Sequence, residues 1–276
     1  MAPTQTEPRY LELKHTRIRR FDRGTFLTRK WTYKPGEHVA FIAPTQDGKT
    51  TLAMQLLKAT ATPELPATVA VMKPRDPTPA AWGKHLGYPE VATWPPRKPY
   101  PWEPKPPGYV HWPRHTFNVA TDNAHLSAEF EKSIRGAYQR GQCIYFADEV
   151  YGMIAELDGL EDDLIAMWSR GGGMGSGLWT ATQRPAGSAG HGVPGHMYSN
   201  TQHLFLSRDP DARSRQRYGE IGGVDPRLMS EAVLKLHKYE FVYVRKADQR
   251  GGPYLAVVEA SLHNGCYCLT YVPHCA

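Results

Sequence analysis

The sequence predicts an α/β fold in which a mostly parallel central sheet is flanked on both faces by helices. Short runs such as HVAFIA (38–43) and ATVAVMKP (67–74) are apolar with little polar alternation, the pattern of strands buried on both faces. These runs alternate with segments whose apolar residues recur every three or four positions, the period of a helix packed on such a sheet. The 276 residues, without internal repeat, suffice for a full core.

Taken in order, residues 1–35 form a basic N-terminal β segment, with one or two strands in 9–33 and a turn at Pro35-Gly36. The main domain is expected over 36–248. HVAFIA is its first strand, KTTLAMQLLKA (49–59) a helix with Leu52, Leu56 and Leu57 on one face, and ATVAVMKP the second strand. An insertion follows at about 74–108. Its segment WPPRKPYPWEPKPP (94–107) holds seven prolines in fourteen positions among Trp94, Tyr100 and Trp102. No helix or central strand survives that density of proline, so an extended loop is expected, laid over the domain or facing a partner or DNA.

YVHW (109–112) then reads as a short strand, and 124–140 as a helix with Phe130, Ile134 and Tyr138 on one face and Gly141 as its stop. QCIYFADE (142–149), GLWTATQ (177–183) and HLFLS (203–207) are strands, and GLEDDLIAMWSR (159–170) is an amphipathic helix. In RDPDARSRQRYG (208–219), Asp209 is expected to cap a helix with Pro210 at its first position. Residues 249–276 form a C-terminal β tail. Ligands of such a sheet bind beyond the carboxyl ends of its strands.

No apolar run approaches the length of a membrane span, and the N-terminus lacks the apolar core of a signal peptide, so a cytoplasmic location is expected. Cys143, Cys266, Cys268 and Cys275 are then thiols or ligands rather than disulfides. The net charge is +6 and unevenly placed. Arg9, Lys14, Arg17, Arg19, Arg20, Arg23, Arg29 and Lys30 outweigh Glu7, Glu12 and Asp22 in the first 30 residues, which suits a polyanion or a solvated arm.

APTQDGKTT (43–51) lies between the first strand and its helix. The phosphate-binding pattern G-x-x-x-x-G-K-[ST] is met by Gly48, Lys49 and Thr50, with Ala43 at its first position. Backbone N–H groups of Ala43, Pro44, Thr45, Gln46, Asp47, Gly48, Lys49, Thr50 and Thr51, proline excepted, would cradle phosphates. Lys49 would reach the β and γ oxygens, and the Thr50 hydroxyl would hold Mg²⁺. Asp47 repels a triphosphate unless it faces away or is paired. Asp148, ending CIYFADE, would hold the same Mg²⁺, and Glu149 could act as general base toward a water. Gln183, ending TATQ, would sit beside that water. Strand-end acids and amides also occur as solvated or loop-bonded groups, and it is the ordered set that favours ATP binding.

APTQDGKT, CIYFADE, SRGGGMGSGLWTATQRP and YEFVYV (239–244), in this order, resemble the FtsK/HerA superfamily of P-loop ATPases, in particular its phage and viral genome-packaging members. The resemblance spans roughly 36–245. It implies an additional-strand, catalytic-glutamate fold, to which the residues outside it add the N- and C-terminal β segments. It also implies a homo-oligomeric ring, pentameric or hexameric, that hydrolyses ATP to move double-stranded DNA, with a capsid or portal component as a further partner. By the same resemblance Arg170 is the arginine that reaches a neighbour's ATP, with Arg184 as the competing candidate. An assembly protein that binds nucleotide without turnover and a small-molecule kinase are the alternatives.

Arg213 and Arg217 fall one helical turn apart and suit phosphate contacts with DNA, as do Arg19 and Arg20. In the tail, Cys266 and Cys268 share a strand face and could hold Zn²⁺ with His263, His274 or Cys275. That spacing matches none of the common zinc patterns, and free thiols are the favoured reading.

Overall fold

The computed structural model describes residues 8–115, 118–183, 193, 195–246, 252–263 and 266–268. The chain opens with β1 (Tyr10–Glu12), β2 (Arg17–Asp22) and α1 (Arg23–Arg29), followed by β3 (His38–Ile42), α2 (Lys49–Thr60) and β4 (Ala67–Val71). Next come α3 (Pro77–Leu86), β5 (Glu90–Val91), β6 (Gly108–His111), α4 (Val119–Arg140), β7 (Cys143–Asp148), α5 (Val150–Glu156) and α6 (Leu160–Arg170). β8 (Ser176–Thr182), β9 (Thr201–Ser207), α7 (Ala212–Gly222), α8 (Pro226–Leu234), β10 (Phe241–Arg245), β11 (Tyr254–Glu259), β12 (Ser261–His263) and β13 (Cys266–Cys268) complete it.

Eleven of these strands form one sheet in the order β1-β2-β11-β10-β9-β3-β8-β7-β4-β6-β5. The run from β9 to β5 is parallel throughout, whereas β10 is antiparallel to both β9 and β11, and β2 runs parallel to β11. The basic N-terminal segment and β11 of the tail therefore extend the same sheet as the main domain. β8 stands between β3 and β7, which is the additional strand of the expected P-loop NTPase fold.

β3 shows why the sheet needs cover on both sides. Val39 and Phe41 pack with Leu52, Leu56 and Leu57 of α2, while Ala40 and Ile42 join Phe130 and Ile134 of α4 and Leu164 and Trp168 of α6. Alternate residues of a strand point to opposite faces, so both faces are core and each buried leucine contributes roughly 1.5–3 kcal/mol.

Several local expectations are corrected. Residues 23–29 are helix rather than strand, because the Asp22 carboxylate accepts from Thr25 N and starts a helix where the alternation stops. α4 begins at Val119, five residues early, capped by Asn118. α3 occupies the first part of the proline-bearing insertion, capped by Asp76 with proline in its first turn. The cap of α7 is Asp211, which accepts from Arg213 N and Ser214 N. Asp209 is instead buried, accepting from Asp211 N and the Tyr218 hydroxyl, so Pro210 precedes the cap. Between β5 and β6 the proline segment forms neither helix nor strand, and Tyr100 and Trp102 stack in parallel at 4.8 Å on its exposed side. No helix among the described residues is long and apolar enough to cross a membrane.

Candidate functional site

The site forms at the carboxyl ends of β3, β8 and β7. β3 hands over to the loop at Ala43, whose N–H donates to Thr182 O of β8 at 3.1 Å. Ala43 is fully buried and lies outside the left-handed region, so nothing in the backbone requires glycine there and the methyl joins the core. The left-handed turns fall at Gln46 (φ 65°) and Gly48 (φ 82°), the residue that opens α2. Free N–H groups at a helix start and its dipole make this end an anion seat. Pro44, Thr45 and Gln46 line the outer rim, and Thr51 is buried at the base.

The Lys49 ammonium folds over the loop, donating to Ala43 O at 2.7 Å and Pro44 O at 2.9 Å. Burial lowers its pKa while Glu149 and Asp148 pull it back up. The Asp47 carboxylate accepts from the Ser207 hydroxyl at the end of β9, at 3.3 Å. That hydrogen bond turns the carboxylate toward the end of β9, while a neutral hydroxyl leaves its charge in place.

Thr50 Oγ1 donates to Asp148 Oδ1 at 2.8 Å. Asp148 ends β7 fully buried, and desolvation pushes its pKa up to about 6 against the Thr50 hydrogen bond and the Lys73 charge. A buried carboxylate short of positive charge, beside a threonine hydroxyl, is a pair of hard oxygen donors suited to Mg²⁺. Mg²⁺ held with phosphate and water oxygens needs only one or two protein ligands, so the residues fit the ion although no group of three or more His, Cys, Asp or Glu side chains clusters among the described residues.

Glu149 adopts φ 97°, a left-handed conformation rare for this residue type, as it turns the chain into α5. Its side chain, 15% exposed, lies 3.7 Å from the Lys73 ammonium and 3.5 Å from Gln183 Nε2, the latter a long hydrogen bond across the end of β8. Lys73 also lies 3.9 Å from Asp76. Lys73 escaped the sequence reading: a lysine just beyond a strand has no local signature, and only the pairing of β4 with β7 brings it to Glu149.

The structure brings Lys49, Thr50, Asp148, Glu149 and Gln183 together and leaves Arg170 apart. Arg170 ends α6, its guanidinium 6.0 Å from the Tyr138 ring, and the turn after it packs by Gly171 on Ser176 and by Gly172 on His38. Those two residues start β8 and β3, so Arg170 lies at the opposite edge of the sheet from its own P-loop. Arg184 lies outside the described residues.

Of the basic candidates, Arg213 is exposed near the start of α7, and Arg217 pairs with Glu220. Arg19 is exposed over the Phe21 ring at 4.9 Å. Arg20 is a correction: its side chain is 12% exposed and bridges Glu240 at 2.7 Å and Glu259 at 3.2 Å, tying β2 to β11 and the turn before β10. Arg215, between the two α7 candidates, is likewise inward, donating to Asp209 O, Pro210 O and the Ser230 hydroxyl. In the tail, His263 and Cys266 are opposed across β12 and β13. His274 and Cys275 lie outside the described residues.

No protein-family model matches the chain, and no curated protein matches it. Among solved structures, the genome packaging NTPase B204 from Sulfolobus turreted icosahedral virus 2, in complex with AMPPCP, is 14% identical with a TM-score of 0.55, over 83% of this chain and 100% of that one. B204, the DNA-packaging ATPase from Sulfolobus turreted icosahedral virus, is 15% identical with a TM-score of 0.51, over 84% and 100% of the respective chains. At such identities the likeness is one of fold, and it agrees with the resemblance read from the motifs.

Proposed function

We propose that this chain is an ATPase motor that moves double-stranded DNA, of the kind that packages a viral genome into a capsid. The observation that carries the reading is the contact of Thr50 with Asp148, with Glu149 and Gln183 meeting one strand away. That is the arrangement needed to hold a triphosphate by its γ end and set a water against it. The fold shared with packaging NTPases, one of them bound to an ATP analogue, supports the choice of nucleotide and of task.

The loop 43–51 seats the phosphates on its N–H groups, and Lys49 leaves Ala43 O and Pro44 O to meet the β and γ oxygens. Thr50 and Asp148 would hold Mg²⁺, which when bound offsets charge on the phosphate oxygens. Glu149 accepts a proton from the attacking water, and the Gln183 amide orients that water and reports the γ-phosphate. Subunits assemble as a five- or six-membered ring in which Arg170, remote from its own loop, serves a neighbour's ATP. Arg213, Arg217 and Arg19 contact DNA phosphates.

Steady-state ATP hydrolysis, measured with and without double-stranded DNA for the wild type and for Glu149→Gln, tests the proposal. DNA-stimulated turnover that falls about 10²–10⁴-fold in the variant is the expected result. ATP binding without turnover in any state would replace the motor with a nucleotide-gated assembly protein, and turnover indifferent to DNA would point to a kinase or another small-molecule enzyme.

A further inference from the structure

We propose that the tip of the proline segment, Tyr100 to Glu103, docks into the groove between α7 and α8 of a second copy of this chain, so that subunits join head to tail. The inference rests on the reading of the protein as a ring and adds to it the two surfaces that meet.

The tip is built before any partner arrives. Glu103 N donates to Tyr100 O at 2.9 Å and closes a turn. The Glu103 carboxylate accepts from Tyr100 N and from Arg97 Nη2, each at 2.9 Å, and the Arg97 guanidinium lies 4.7 Å from the centre of the Tyr100 ring. The root is fixed as well, since Trp94 N donates to Glu129 on α4 at 2.7 Å. Pro99, Pro101 and Pro104 stiffen the turn, so little conformational entropy is left to lose on docking. Trp102 is nonetheless 78% exposed and Tyr100 54%, a stacked pair of the kind that anchors protein interfaces. The turn itself carries Glu103 and no cation, so phosphates are poor partners for it.

The groove has the matching character. It measures about 680 Å³, and Ala212, Pro226 and Leu234 line it together with Asp225, Arg227 and Glu231. Five large apolar side chains are exposed among the described residues, and Tyr100, Trp102 and Leu234 are three of them. Lys98 and Lys105 are exposed beside the tip, and Asp225 and Glu231, the latter already paired with Lys235, give the groove carboxylates to meet them. Arg227 supplies a cation for the indole face.

Position decides the occupant. The tip leaves the sheet between β5 and β6, at one end of the strand order. α8 lies toward the other end, where Glu231 accepts from Lys14 N and Lys235 donates to Glu12 O in the β1–β2 hairpin. Even from β10, on which α8 rests, six strand spacings of about 4.8 Å lead to β6, so a chain cannot fill its own groove. Two different surfaces at opposite ends of one sheet make a heterologous contact, the kind that closes rings.

Sedimentation velocity of the full chain with Mg²⁺-ATP over a concentration series, for wild type, Trp102→Ala and Leu234→Arg, tests this. Each variant should keep the thermal midpoint and need about 30-fold or more protein to assemble. Under mild oxidation, a tagged Trp102→Cys chain mixed with an untagged Leu234→Cys chain should form a dimer whose linkage peptide mapping assigns to positions 102 and 234. Assembly of both variants at the wild-type concentration, or no such linkage, overturns the inference. DNA affinity lost in Trp102→Ala with assembly intact overturns it too, and gives the tip to nucleic acid. A wild type that stays a single chain removes the ring and this inference together, whereas failure of the variants alone leaves the ring standing.

Discussion

Thr50 and Asp148, 98 residues apart in sequence, meet through a 2.8 Å hydrogen bond that joins the start of α2 to the end of β7. The threonine is the donor, so its oxygen lone pairs stay available to a cation on the same side as the carboxylate. Thr50→Val should keep the fold and weaken nucleotide binding about tenfold in the presence of Mg²⁺, with little change in excess chelator. Calorimetry under the two conditions checks this. Equal affinities for valine and threonine with Mg²⁺ would remove the hydroxyl from the metal site.

Lys73 reaches Glu149 from β4, and the pair shares its charge with Asp76. The carboxylate thus lies between a cation from the β4 side and the Gln183 amide from the β8 side, and the two together fix its position. Lys73→Met is expected to lower kcat about tenfold with KM for ATP within about twofold, and Lys73→Arg to restore most of kcat. A change in KM alone would make the lysine a binding residue instead.

Arg213 is exposed on α7, whereas Arg20 is engaged by Glu240 and Glu259. Arg213→Ala should reduce the slope of log DNA affinity against log salt by about one and leave the thermal midpoint unchanged. Arg20→Ala should do the reverse, destabilising the β2–β11 pairing by leaving Glu240 without its cation and Glu259 with Arg9 alone. Salt-series binding and thermal melts on both variants distinguish the roles.

Stability should fall on mild acidification. Burial lowers the pKa of His38 and of His111 to about 4, and His203 is lowered as well. The unfolded forms take up protons near 6.5, so the stability tied to neutral His38 and His111 is complete above that pH and is lost between about 6.5 and 4, with up to about 1.4 kcal/mol per pH unit for each of these two, and His203 acts in the same direction. Asp148, pushed up to about 6, gains on acidification over part of the same window and offsets one of them. His111 lies against the Phe130 and Trp94 rings, so His111→Phe should flatten the profile. Urea midpoints between pH 7.5 and 5 test the sign, and rising stability on acidification would contradict it.

The sequence by itself determined the ordered motifs and the elements that carry them. β3, α2, β7 and β8 follow from apolar runs and periodicity, and the strand, loop, helix order around Lys49 from residues adjacent in the chain. Even Ala43 is consistent with a local pattern, since the left-handed turns fall later in the loop. What only the tertiary structure decided are pairings between segments far apart. The insertion of β8 between β3 and β7 brings Gln183 to Glu149, and the pairing of β4 with β7 adds Lys73. Arg23 reaches Tyr239 across 216 residues, and Arg20 is taken out of solvent by two acids from the far end of the chain. Periodicity records which face of an element is buried, but not which neighbour buries it, and partner choice is set by the packing of the whole sheet.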